Sequence, residues 1–106
     1  MDKKKLEPRF ILAKDNQEPR SMEIGNAKLD MVVHPIGQEA PKHGHQETHI
    51  IVVRSGRMQF DLNGKIQDVG PGDIIIAPPD VIHTFKVIGK EPCQTVCLSI
   101  PEVDKI

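Results

Sequence analysis

A chain of 106 residues is long enough for one domain and too short for two separate cores. Its charge nearly balances, 14 Lys and Arg against 15 Asp and Glu, so it lacks the basic excess of a polyanion-binding surface. Three Phe with no Trp or Tyr leave few flat faces on which a sugar or a base could stack.

The N-terminal arm, about residues 1–20, carries the only basic run, Lys3-Lys4-Lys5, which reads as a solvated end. No apolar run approaches a membrane span, and the apolar stretch of a signal peptide is missing. A cytoplasmic protein is expected, with neither membrane nor nucleic acid as partner. Within the arm, "RFIL" at 9–12 is an isolated apolar patch able to add as a strand to a neighbouring subunit.

From there, nine Pro and eight Gly cut the chain into short β-branched segments, a pattern that short strands accept and helices do not. "LDMVVHP" predicts a strand ending near His34. "HIIVV" at 49–53 predicts another. "MQFDL" at 58–62 alternates, with Met58, Phe60 and Leu62 on one face, and Asn63-Gly64 signals a hairpin into "KIQDV". Two-residue pairing there puts Ile66 on the wet face, which a longer, bulged turn would repair. "GPGD" turns the chain into Ile74–Ala77. Pro78-Pro79-Asp80 ends that strand and starts another near Val81, and residues 89–92 precede the last, "CQTVCLSI". Residues 50–53 and 74–76 are apolar at every position, so both their faces need cover. A homodimer is expected. Cys93 and Cys97, four apart on one strand, would have α-carbons roughly 13 Å apart, beyond the roughly 7 Å limit of a disulfide, and read as free thiols.

Four of the five histidines draw together in this pattern. His43, His45 and His49 share strand parity and can face one cavity, directly or across a turn at 46–48; His83 shares a face with Phe85 and Val87. Inward imidazoles are costly unless their nitrogens are partnered, and one divalent cation partners all four. Imidazole suits Zn, Cu, Fe, Ni and Mn. Glu47 has the parity to serve as a ligand in place of His49, or to stand at the rim as a base.

Gly37, His43, His45, His49 and Gly56, at intervals of five, one, three and six residues, resemble the first cupin motif (here 37–56), which reads Gly, His, His, Glu, Gly. Gly72, Pro78 and His83 resemble the second (here 72–87). The resemblance implies an all-β, cupin-type double-stranded β-helix, a jelly-roll barrel spanning 1–106 as one domain. It also implies a metal held by His43, His45, His49 and His83. Three positions depart from the motifs: His49 stands where the glutamate ligand is usual, Asp80 replaces a glycine, and Val87 replaces an asparagine. Four neutral ligands leave the ion its full double charge, which strengthens its Lewis acidity and its pull on anions. The all-histidine set is similar to small manganese-binding cupins, which implies Mn ahead of Fe, Ni, Zn or Cu.

Around that centre, Met58, Phe60, Phe85 and Cys97 are expected to line the pocket. His34 is a rim histidine or a proton shuttle, since imidazole titrates near neutrality. Arg54, of opposite parity to His49, reaches an anion only if its strand bulges. The expected function is a small metalloenzyme of dioxygenase-like type acting on a small organic substrate. A metal-dependent isomerase or lyase, with His34 or Glu47 as base, and a non-catalytic metal- or ligand-binding module are the alternatives.

Overall fold

A computed structural model describes positions 8, 10, 12, 14, 20–42, 44 and 46–101. His43 and His45 lie outside the described residues, as do Arg9 and Ile11 of the arm. Eight strands follow one another: β1 (Arg20–Ile24), β2 (Ala27–His34), β3 (Thr48–Ser55), β4 (Arg57–Leu62), β5 (Lys65–Val69), β6 (Ile74–Ala77), β7 (His83–Ile88) and β8 (Cys93–Ile100). They form a five-stranded sheet, ordered β1-β2-β8-β3-β6, and a three-stranded sheet, β5-β4-β7. Each pairing between strands is antiparallel. Among the described residues, no helix is long and apolar enough to cross a membrane.

The sheets pack face to face over Val53, Met58, Phe60, Val69, Ile75, Val87 and Cys93. Burying a large apolar side chain of this kind contributes about 1.5–3 kcal/mol, and Val53, Met58 and Phe60 are each at most 2% exposed. The alternation of "MQFDL" thus sends Met58 and Phe60 into the core as the sequence indicates.

The β4–β5 turn is the two-residue form. Asn63 and Gly64 take φ of 52° and 89°, the Gly64 amide donates to Asp61 Oδ1 at 2.9 Å, and Asp61 pairs with Ile66. The bulged repair is therefore not made, and Ile66 stays on the wet face, 60% exposed. The β1–β2 hairpin begins at Arg20, at the end of the expected N-terminal arm. It closes at Gly25, whose φ of 60° is the positive value that a two-residue turn needs at its first position.

At the end of β3 the pairing to β8 slips between Val53 and Ser55. The bulge leaves Arg54 exposed rather than in the barrel. Gly56 follows at φ 77°, and a Cβ there would lie 2.3 Å from the Pro92 carbonyl oxygen, so only glycine lets β3 turn into β4 beneath that backbone. Asp80, where the second motif has glycine, adopts φ 64°, a left-handed conformation that aspartate tolerates better than most residues.

Candidate functional site

The inner face of the larger sheet is set by register. Asp30 pairs with Cys97 and Val32 with Thr95, while His49 pairs with Ser99 and Ile51 with Cys97. The smaller sheet opposes these with Met58, Phe60, Phe85 and His83. Together they enclose a cavity of about 210 Å³, whose walls mix apolar surface with hydroxyl, thiol, imidazole and carboxylate groups.

His49 and His83, from β3 and β7, meet across this cavity with ring centroids 6.4 Å apart. His83 is 3% exposed and its Nδ1 lies 3.2 Å from the Val81 carbonyl oxygen. A carbonyl only accepts, so Nδ1 carries the hydrogen and Nε2 is the acceptor nitrogen, the tautomer a metal ligand needs. His49 Nε2 is 3.2 Å from Glu47 Oε1; a carboxylate only accepts, so Nε2 carries the hydrogen in this arrangement, Nδ1 is left as the nitrogen that could ligate, and Glu47 stands at the rim holding that ring. Metal–nitrogen bonds of about 2.0–2.1 Å put two imidazoles sharing an ion at centroid separations of roughly 6.5 Å when trans and roughly 5 Å at tetrahedral or adjacent positions, so the observed separation fits a nearly trans pair. Among the described residues no group of three or more His, Cys, Asp and Glu gathers closely enough to hold an ion.

Four rings run along the cavity wall. His83 stacks on Phe60 at 5.8 Å and 14°, Phe60 on Phe85 at 6.3 Å and 18°, and Phe85 meets His34 edge to face at 4.9 Å and 71°. His34 is pinned at both nitrogens: Nδ1 to Gln38 Oε1 at 2.9 Å and Nε2 to Thr95 Oγ1 at 3.1 Å. With an amide oxygen at Nδ1, that nitrogen carries the hydrogen and Nε2 accepts from the Thr95 hydroxyl. Burial lowers the His34 pKa, with the Gln38 hydrogen bond opposing, so the ring is neutral near pH 7.

Met58, Phe60, Phe85, Cys97 and His34 all line this cavity. Burial pushes the Cys97 thiol pKa up, the Ser99 hydrogen bond pulls it down, and the charges of Asp30 and Glu47 raise it further. Both cysteines are free. Sequence reasoning missed Asp30, Thr95 and Ser99. The signal was available in the parity that Asp30 shares with His34, and Thr95 and Ser99 with Cys97. Asp30 matters electrostatically, since it places a carboxylate on the cavity wall beside Cys97.

A sequence profile of the cupin domain family matches residues 29–99. This chain belongs to that family. The cupin resembles the Cnp3 cupin domain of Schizosaccharomyces pombe, with TM-score 0.75 and 17% identity, over 79% of this chain and 60% of that one. It also resembles a cupin 2 conserved barrel domain protein from Salinispora arenicola, with TM-score 0.73 and 19% identity, over 92% and 90%. A conserved protein of unknown function from Streptococcus pyogenes matches over 96% of each chain, with TM-score 0.71 and 14% identity. At these identities the likeness concerns the fold. The cupin spans less than two thirds of the Cnp3 chain, and no curated protein matches its sequence.

Proposed function

We propose that this cupin binds one divalent metal ion through His43, His45, His49 and His83, Mn ahead of Fe, Ni, Zn or Cu. In this reading it acts on a small organic substrate as a dioxygenase-like metalloenzyme. The observation that carries the reading is the approach of His49 and His83. They lie on different sheets, 34 positions apart in sequence, yet face each other inside one cavity, with His83 already in a ligating tautomer.

When bound, such an ion supplies Lewis acidity and, for Fe or Mn, redox capacity. The residues supply the rest. Phe60, Phe85, Met58 and Ile51 shield the apolar body of a substrate from water. Thr95, held by neutral His34, presents a fixed hydroxyl to the cavity. Glu47 orients His49 at the rim.

A metal-dependent isomerase or lyase is the second reading, favoured by one observation. The Asp30 carboxylate, 23% exposed, faces the cavity and offers the base that proton abstraction needs.

The test is elemental analysis of protein produced without added metal, followed by oxygen uptake on small diketones, thiols and phenols. The expected result is one metal per chain, lost on His49→Ala or His83→Ala, with oxygen consumed on at least one substrate class. Folded protein that takes up no stoichiometric metal overturns the reading. Metal without oxygen uptake, but with proton exchange at a substrate carbon that Asp30→Asn abolishes, selects the second.

A further inference from the structure

One end of the cavity is built to accept hydrogen bonds. Thr95 lines it and is 2% exposed, and its hydroxyl has one hydrogen and two lone pairs. The hydrogen is engaged: His34 Nε2, 3.1 Å away, accepts it, because Nδ1 of that ring gives its own hydrogen to Gln38 Oε1. Edge-to-face contact with Phe85 holds the ring in place. Thr95 Oγ1 is thereby fixed as an acceptor, and among the described residues no second group bonds to it. Its register partners on either side, Val32 and Val53, bring no donor. A buried acceptor left open among apolar neighbours is costly, and a ligand that brings a hydrogen removes that cost. We infer that Thr95 selects substrates carrying a hydrogen-bond donor, a hydroxyl or an amine, at the end remote from the metal, with Gln38 and His34 as positioning residues.

For the substrate's other end the inference rests on the metal reading above. His49 pairs with Ser99, and Thr95 lies four residues from Ser99 along β8, a rise of about 13 Å. One wall between these two levels is the row of rings His83, Phe60, Phe85 and His34. Midway, Asp30 and Cys97 face each other across β2 and β8. The cavity is lined by neither Lys nor Arg; Lys28, 3.9 Å from Asp30, is not part of its wall. At the Thr95 end, a carboxylate or carbonyl tail would set acceptor against acceptor. An alcohol or an amine supplies the hydrogen that Oγ1 can take.

The test has two parts. Long-range proton–nitrogen correlation spectra of the full chain in chelator read the His34 tautomer, with His34→Gln identifying the signal. A hydrogen on Nδ1 is expected; a hydrogen on Nε2 would turn Thr95 into a donor toward the cavity and overturns the inference. This part needs no metal, so a chain that takes up none defeats the metal reading and leaves the tautomer to decide here. The second part titrates the Mn²⁺-loaded chain with straight-chain hydroxamates of graded length, whose head chelates a divalent ion and whose tail ends in methyl, oxo, hydroxyl or amino. At the best-fitting length the hydroxyl or the amino probe is expected to bind about tenfold more tightly than the methyl and oxo probes, and whichever of the two leads identifies the donor. Thr95→Val is expected to remove that preference and Thr95→Ser to keep it. Should Thr95→Val fail to fold, the oxo probe on the wild type is read instead. A methyl or oxo probe bound as tightly as the hydroxyl and amino ones overturns the inference. So does a folded Thr95→Val variant that keeps the preference.

Discussion

Replacing His83 by Phe tests the candidate site while sparing the fold. The ring stacks on Phe60 at 14° and 5.8 Å, and a phenyl ring keeps that contact. What disappears is the Nδ1 hydrogen bond to the Val81 carbonyl, worth about 1 kcal/mol net, and the Nε2 acceptor. Without metal the variant is therefore expected to unfold within about 1–2 kcal/mol of wild type. With metal the two should diverge. An ion at about 100 times its dissociation constant stabilises the wild type by about 2.7 kcal/mol, roughly 10–20 °C in melting temperature for a domain of this size. The variant, short of a ligand, should gain little at the same concentration. The assay is thermal unfolding in chelator against Mn²⁺ and then Zn²⁺. A folded variant that gains as much as wild type would refute the assignment of His83, and a wild type that gains nothing would refute the site.

Three further outcomes follow from the geometry. His34 has a folded-state pKa below its ordinary value of about 6.5, so below that pH the unfolded chain binds a proton that the folded chain refuses. Stability should fall as pH drops below about 6.5, and urea titrations at pH 7.5 and 5.5 should show a smaller drop in His34→Gln; equal drops would remove His34 as the cause. Gly56→Ala places a Cβ 2.3 Å from Pro92 O and 2.7 Å from Cys93 Cα, both backbone atoms, and adds a left-handed cost of about 1–2 kcal/mol. A loss above about 3 kcal/mol in guanidinium unfolding is expected, and a loss below about 1 kcal/mol would contradict the close approach. Asp80→Gly, at φ 64°, should stabilise by about 0.5–1 kcal/mol; destabilisation would mean that the Asp80 side chain makes a contact worth more than its backbone strain.

Much of this was legible in the residues. Turn signals and β-branched runs located β2 to β8, because backbone preference and period act locally. The motif glycines Gly37, Gly56 and Gly72 all adopt positive φ, as their resemblance requires. His49 and His83 were paired from motif spacing, a signal that local pattern alone could not supply. The facing of β2 and β8 was harder to read. Parity separates Leu29, Met31 and Val33 from Asp30, Val32 and His34, but the usual rule of apolar side chains inward selects the wrong set. Asp30 escaped notice for that reason. β1 and the turn into β2 were missed because "RSMEIGNAK" is polar and the turn, Gly25-Asn26, sits between weakly patterned flanks.

His49 and His83 hang from two sheets that share no ladder of backbone bonds. Anything gripping both rings would act as a rivet through the barrel wall. Its removal would be felt as a widening between the layers, with each layer's own strand pairing intact. Amide exchange would register this as faster opening where β3 and β7 face each other, while the hairpin β4–β5 kept its protection.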